Sequence, residues 1–142
     1  MELLPGLAIS ASGLTAERLR LDLIASNLAN IHTTRTDQGG PYRRKVAIFA
    51  ERLKEAMVTP GPQAPGYGVR VVGIAEDNTP PRLVYDPAHP DADARGYVAL
   101  PNINVVNEMI DLITASRAYE ANVTAFNAAK SMALKALEIG RV

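Results

Sequence analysis

The residues best suited to chemistry lie in one proline-containing segment, residues 86–93. It carries Asp86, His89, Asp91 and Asp93, whose carboxylate and imidazole groups are ligands that divalent metal ions use. Their spacing matches no metal-binding loop of defined ligand order, and the two prolines with the Asp-Pro step are typical of a rigid turn. The sequence therefore predicts a turn and no metal site. The alternative is an enzyme that holds a metal or a small ligand in this loop.

Other residue types that support catalysis occur without the context that catalysis requires. The glycines of residues 39–40 and 66–68 do not follow a strand and open a helix, as a phosphate-binding loop must. No serine stands in a Gly-x-Ser-x-Gly motif. The basic run Arg43-Arg44-Lys45 predicts a solvated strand start, with contact to an acidic neighbour in an assembly as the alternative. We therefore predict no catalytic residue and no cofactor.

The balance of charges excludes several classes of partner. The 142 residues include 15 Lys and Arg and 15 Asp and Glu, so the chain lacks the positive field that attracts nucleic acid or an anionic membrane. The absence of cysteine excludes disulfides and thiol nucleophiles. Residues 3–16, an uncharged stretch as long as any in the chain, are too few to span a bilayer, and no basic segment opens a cleaved export signal. We expect no nucleic-acid binding, no membrane insertion and no cleaved signal.

The N-terminal part of the chain has the pattern of a long amphipathic helix over residues 7–30. Its leucines recur every seventh residue, which is the spacing of a coiled-coil seam. The seam consists of Leu7, Leu14, Leu21 and Leu28, and Ile24 and Ile31 fill the intermediate heptad positions, each three residues after a leucine. Turn-forming residues follow Asn30, which can itself cap the helix.

The C-terminal part predicts a second helix from Asn102 or Asn104 to about residue 137. One stripe in alternating steps of four and three carries Val105, Met109, Leu112, Ser116, Tyr119, Val123, Phe126, Lys130, Ala133 and Leu137. A second face beside it carries Val106, Ile110 and Ile113 and then several alanines. One helix with two apolar faces indicates more than one packing partner.

The pattern as a whole predicts an α+β fold. Two long terminal helices form an antiparallel coiled-coil pair, and a small β-rich insert with short strands at residues 46–50, 69–75, 82–85 and 96–100 lies between them. We divide the single structural unit into an N-terminal helix (1–31), an insert (32–101) and a C-terminal helix (102–142). Pairing leaves the second face of the C-terminal helix exposed, which favours self-association. The alternatives are a third contact within the molecule and a coiled-coil adaptor for one partner.

Residues 9–30 carry a family motif. They end in Asn27-Leu28-Ala29-Asn30 and resemble the N-terminal signature of the flagellar axial proteins, in which an Asn-Leu-Ala-Asn motif ends a helix. Ser26 stands where many members of that wider family have a second asparagine. Further segments resemble the FlgC family of proximal rod proteins, in the order 40–45, 83–93, 96–98, 101–106, 108–111, 116–122 and 130–132. The resemblance covers nearly the whole chain.

This resemblance implies a structural function and no catalysis. It implies a subunit of the proximal rod of the bacterial flagellar basal body that polymerises through its terminal helices into a driveshaft across the periplasm. It also implies delivery by the flagellar type III export apparatus, and contacts with itself and with neighbouring proximal and distal rod proteins. Because intersubunit burial is missing in the free chain, we expect the terminal helices to be frayed before assembly.

The assembly role that the resemblance implies falls on the same helical seams that the residue pattern shows. The predicted interface consists of Leu7, Leu14, Leu21, Ile24, Asn27, Leu28, Asn30, Val106, Met109, Ile110, Leu112, Ile113, Tyr119, Val123 and Phe126. For Asn27 and Asn30 two functions stay open. They can form a contact motif shared by subunits of the polymer, or they can cap the end of the helix.

Overall fold

The fold consists of two long terminal helices with four short strands between them. The computed structural model describes residues 3–52 and 68–140, and side chains from residue 6 onward. The order is α1 (Leu3–Ala29), β1 (Lys45–Glu51), β2 (Val69–Glu76), β3 (Arg82–Tyr85), β4 (Tyr97–Leu100) and α2 (Val105–Ile139). The predicted α+β class and its element order are confirmed.

Helix α1 begins at Leu3, four residues before the predicted start. Pro5 lies in the first turn, where its missing N–H removes no helical hydrogen bond, so the helix extends through it. The helix ends at Ala29, and Asn30 follows it. The Asn30 side chain donates to the Ser26 carbonyl at 2.9 Å and the Asn30 backbone N–H donates to the same oxygen at 3.1 Å. The amide of Asn30 thus supplies a donor to a carbonyl of the last helical turn.

Helix α2 begins after Asn104, one of the two predicted N-caps. The Asn104 side chain accepts hydrogen bonds from the backbone N–H of Val106 at 2.9 Å and of Asn107 at 3.3 Å. These bonds satisfy two donors that have no partner within the helix. The 35-residue helix then continues to Ile139. Neither helix, over its described residues, has an apolar stretch that could cross a membrane.

The four strands form two separate antiparallel pairs. Strands β1 and β2 form a two-stranded ribbon in which Lys45 lies opposite Glu76, with a register shift between Ile48 and Phe49. Strands β3 and β4 form a shorter hairpin in which Tyr85 lies opposite Tyr97, and these two rings pack edge to face at 5.3 Å. Only the first ribbon contacts α1 through its strands. The β1–β2 ribbon therefore packs the insert against α1.

The two helices pack antiparallel along their length. Asn27 lies against Glu108, and Gly13 lies against Asn122. A Cβ added at Gly13 would be 2.9 Å from Nδ2 of Asn122, so the backbone of α1 approaches α2 closely at this point. The buried apolar residues of the helix pair are Ala16, Leu23, Ile24 and Ala115. The core is therefore narrow, and small residues set the distance between the helices.

Candidate assembly surface and the polar cluster beneath it

An aliphatic stripe lies on the side of α2 that faces away from α1. Val106, Ile110 and Ile113 share this side because residues three and four apart lie on one helix face, and 64%, 57% and 55% of their surface is exposed. Val105 and Met109 flank them and are also exposed. Exposed aliphatic residues that adjoin one another mark an association surface more often than isolated ones do. We call these five residues the outer stripe.

The fifteen residues predicted for the interface fall into three groups by exposure. Val106, Met109, Ile110 and Ile113 are exposed. A half-buried group lies along both helices and comprises Leu7, Leu14, Leu21, Leu28, Asn30, Leu112, Tyr119, Val123 and Phe126. Ile24 and Asn27 are buried within the chain. The leucines of the predicted seam are thus only half-buried, and the buried apolar residues of the helix pair besides Ile24 lie at other positions, Ala16, Leu23 and Ala115. The first group has no cover within the described chain.

Further exposed apolar residues, outside the predicted interface set, lie at the end of α2. They include Met132, Leu134, Leu137 and Ile139, the last of which is 78% exposed. Asn27 pairs with Glu108 and Gly13 with Asn122, so facing residue numbers sum to about 135, and Met132 is the residue opposite Leu3. Residues 133–139 thus continue past the start of α1. Leu137 belongs to the predicted stripe of α2 but not to the predicted interface set, whereas Met132, Leu134 and Ile139 lie outside both.

A buried polar cluster lies beneath the outer stripe, where α1, β1 and α2 meet. Asn27 is 1% exposed and uses its whole hydrogen-bonding capacity. Its Nδ2 donates to the Lys45 carbonyl at 2.9 Å and to Glu108 Oε2 at 3.1 Å. Its Oδ1 accepts from the Lys45 N–H at 2.9 Å and from the Tyr42 hydroxyl at 3.1 Å. One side chain therefore joins three segments of the chain.

Glu108 supplies the charge of this cluster. It is also 1% exposed, and its Oε1 accepts a hydrogen bond from Nε of Arg44. The Arg44 guanidinium also donates to Asp111 Oδ2 at 3.2 Å, and Asp111 lies 3.7 Å from the guanidinium of Arg20. A buried carboxylate without such partners would carry a large desolvation penalty. We define the polar cluster as Asn27, Tyr42, Arg44, Glu108 and Asp111.

The structure corrects the prediction for Arg44. The basic run at residues 43–45 predicted a solvated strand start, and Arg43 does point into solvent, where it donates to Asn78 at 2.9 Å. Arg44 instead turns inward to Glu108 and Asp111 of the same chain. Because alternate residues of a strand point to opposite sides, neighbouring arginines meet different environments. A charged residue at position 108 inside an apolar pattern was the signal for this pairing.

The residues considered for metal binding instead hold the turn between β3 and β4 in shape. The Asp86 carboxylate accepts from the Ala88 N–H at 3.2 Å, and Nδ1 of His89 accepts from the Asp91 N–H at 3.1 Å. Asp93 Oδ1 accepts from the N–H groups of Arg95 and Tyr97, both at 2.8 Å. Among the described residues no group of three or more potential metal ligands converges. These contacts agree with the predicted turn.

Two family descriptions match the two ends of the chain. The description "Flagella basal body rod protein" matches residues 7–35, which cover most of α1 and the turn after it. The description "Flagellar basal body rod FlgEFG protein C-terminal" matches residues 94–139, which cover β4 and α2. The matched regions therefore contain α2 and most of α1, and they include Asn27, Glu108 and Asp111 of the polar cluster, whereas Tyr42 and Arg44 lie between them.

Relatives that match over the whole chain are rod proteins of other bacteria. A flagellar basal-body rod protein FlgC of Borreliella burgdorferi is 50% identical over 98% of both chains. The FlgC of Bacillus subtilis is 49% identical over 95% of this chain and 96% of its own. The FlgC of an Escherichia coli strain is 44% identical over 99% of this chain and 100% of its own. The chain belongs to the FlgC family of flagellar basal-body rod proteins, which are structural components of the rod and not enzymes.

Proposed function

We propose that the chain polymerises into the proximal rod through its helices, with the outer stripe of α2 binding a neighbouring subunit. The observation that carries this proposal is the exposure of Val106, Ile110 and Ile113 on one side of α2. Full burial of an aliphatic side chain of this size contributes roughly 1.5–3 kcal/mol. A stripe of such residues, repeated at each subunit, stabilises a shaft without covalent links. Contacts that do not close on themselves produce a helical filament.

The half-buried residues of the interface set can contact both their own chain and a neighbouring subunit. Leu21, Tyr119 and Phe126 keep part of their surface free after the two helices have paired. They can contact α1 or α2 of the same chain on one side and a neighbouring subunit on the other. Ile24 and Asn27 act from inside, because they hold the helix pair whose outer surface meets the neighbour. The partners are further copies of this chain and the adjacent proximal and distal rod proteins.

The test of this surface is the variant Ile110→Asp, with Thr114→Asp as its matched control. Both positions are exposed and both changes add one carboxylate, but Thr114 lies at the edge of the outer stripe and already carries a polar side chain, whose hydroxyl donates to the Ile110 carbonyl at 2.8 Å. We expect Ile110→Asp to leave the free chain folded and to abolish rod formation and motility, because a carboxylate without a partner would enter a dry interface. Thr114→Asp should retain motility.

Normal motility of a strain that carries only Ile110→Asp would contradict the proposed surface. A finite complex with one partner in place of a rod would favour the adaptor alternative. Leu21→Asp tests the N-terminal helix in the same assay and should also abolish assembly. Since Leu21 is half-buried within the chain, the folding of that variant must be measured separately by circular dichroism.

We also propose that the chain reaches the periplasm through the flagellar type III export apparatus. The support is membership in a family of rod proteins and the resemblance of residues 9–30 to the axial signature. In a flagellated strain, replacement of the native protein by this chain should place it in purified basal bodies. In a strain without a working export apparatus, the chain should accumulate in the cytoplasm and should be absent from the periplasm and the medium. Appearance in the periplasm of that export-deficient strain would contradict it.

A further inference from the structure

The ribbon of β1 and β2 is fastened to α1 at both of its ends. Near the start of β1, the Asn27 amide binds both the N–H and the carbonyl of Lys45 at 2.9 Å. At the opposite end, Oγ of Ser12 accepts from the Val69 N–H at 3.1 Å, while it donates to the Ile9 carbonyl at 2.7 Å. Asn27 and Ser12 of α1 therefore form hydrogen bonds with backbone groups of β1 and β2, respectively.

The hydrogen-bond pattern of the ribbon explains why these backbone groups are available. The Asp77 N–H donates to the Arg44 carbonyl, so the next pair, Lys45 and Glu76, is a pair without hydrogen bonds between its members. The N–H and carbonyl of Lys45 consequently point away from β2. The Asn27 side chain, which has one acceptor and one donor side by side, takes the place of a further strand at this edge.

The spacing along α1 fits the length of the ribbon. Ser12 and Asn27 are 15 positions apart, which corresponds to about 22 Å of helix. Lys45 and Glu51, the residue opposite Val69, are 6 positions apart along β1, which corresponds to about 20 Å. Gly68 permits the close approach at the far end, since its φ is +106° and an added Cβ would be 2.2 Å from Oγ of Ser12. The ribbon therefore lies along α1 between two fixed points.

One of these fixed points also depends on α2. The second N–H of the Asn27 amide donates to Glu108, and the charge of Glu108 is balanced by Arg44, which directly precedes β1. A shift of α2 by one helical turn would place Asn104 or Leu112 opposite Asn27. Neither has a carboxylate, so Arg44 would lose its buried charged partner opposite Asn27, and Leu112 would also leave the Asn27 amide without an acceptor there. The same contacts therefore fix the register of the helices and the position of β1.

We propose that Asn27, Glu108 and Arg44 form a conformational latch that lets the ribbon dock on α1 only when α1 and α2 are paired in one register. All of its contacts lie within one chain, so the latch closes before assembly. It orders the ends of the helices that adjoin the insert, and any fraying of the free subunit is confined to the opposite ends. A rod subunit of this kind presents its insert and its outer stripe in one fixed relation to each neighbour.

The test is amide hydrogen exchange of the full free chain, followed by NMR at the Lys45 and Val69 amides. We expect Asn27→Asp to speed exchange at Lys45 by about tenfold or more, because the carboxylate repels Glu108 and cannot donate. The decisive variant is Glu108→Met, which keeps the side-chain length but removes the acceptor. It should also speed exchange at Lys45 by about tenfold or more, although Glu108 does not touch the Lys45 backbone.

The controls separate a latch from a local contact. Asn107→Met makes the same kind of change one residue earlier, at an exposed position, and should leave exchange at Lys45 within about twofold. If Glu108→Met prevents folding, Glu108→Gln gives the same test with a smaller expected increase. Exchange at Lys45 that responds to Asn27→Asp but to neither Glu108 variant would show Asn27 to be only an edge cap. An unprotected Lys45 amide in the unmodified free chain would also overturn the latch. None of these measurements involves assembly, so they are independent of the outer stripe.

Discussion

The two sides of helix α2 differ in a way that reverses the usual arrangement of a helix pair. The side that faces α1 carries Glu108, Ala115 and Asn122, whereas the side that faces outward carries Val106 and Ile110. The buried residues of α2 are thus a hydrogen-bonded acid and an alanine, whereas several of its large aliphatic residues are exposed. Small residues permit close approach, and the polar cluster fixes the register. In the proposed assembly, this outer aliphatic surface binds neighbouring subunits.

The largest expected effect comes from removing the positive charge that pairs with Glu108 on the side of α2 that faces α1. Arg44→Met should destabilise the chain by about 3 kcal/mol, because it leaves the Glu108 carboxylate buried without its ion pair. Urea unfolding of the free chain measures this loss. Arg43→Met is the matched control, since Arg43 is exposed, and should change stability by less than about 0.5 kcal/mol. Equal effects of the two variants would mean that the inner polar contacts do not stabilise the helix pair.

A second comparison enlarges an alanine on each side of α2. Ala115 is completely buried, so Ala115→Leu should cost about 1–3 kcal/mol through overpacking against α1. Ala121 is exposed on the same helix, and Ala121→Leu should leave the unfolding free energy within about 0.5 kcal/mol. Thermal or urea unfolding checks both variants. A larger loss at position 121 than at 115 would contradict the assignment of the two sides.

The start of α2 offers an exposed residue that should nevertheless affect stability. Asn104→Ala removes the acceptor for the N–H groups of Val106 and Asn107 and should cost about 1 kcal/mol. Asn102→Ala, two residues earlier and also exposed, is the control and should have little effect. If the two variants unfolded alike, helix capping would not be the source of the stabilisation.

The smallest expected effect is the loss of stability at low pH that comes from protonation of Asp77. The Thr79 backbone N–H, 2.9 Å from the Asp77 carboxylate, and then the Thr79 hydroxyl lower the pKa of Asp77 below its ordinary value. A lowered pKa in the folded chain stabilises it above the pKa of the unfolded state, and this contribution is lost as the pH falls through the folded value. NMR titration should find a lower midpoint for Asp77 in the folded chain than in urea. An equal or higher midpoint would contradict this contact.

Much of the fold could be predicted because its signals are local. Alternating residues and Pro or Gly boundaries marked the strands, and Asn104 marked the start of α2. The assignment of faces could not be predicted in the same way. Leu112 and Val106 are both aliphatic, and only the position of α1 decides that the first is half-buried and the second exposed. Likewise, Glu108 resembles an ordinary solvated acid until Arg44, 64 positions away in the chain, is placed beside it.

Attachment of the ribbon at both Ser12 and Asn27 has a mechanical consequence for a rod subunit. A ribbon attached to a helix at one point can rotate about that point when a sideways force acts on it. Attachment at two points about 22 Å apart resists this rotation. A sideways force on the insert therefore moves α1 with it and does not swing the ribbon about a single attachment point. The side chains of Ser12 and Asn27 thus hold the ribbon in a fixed orientation on α1.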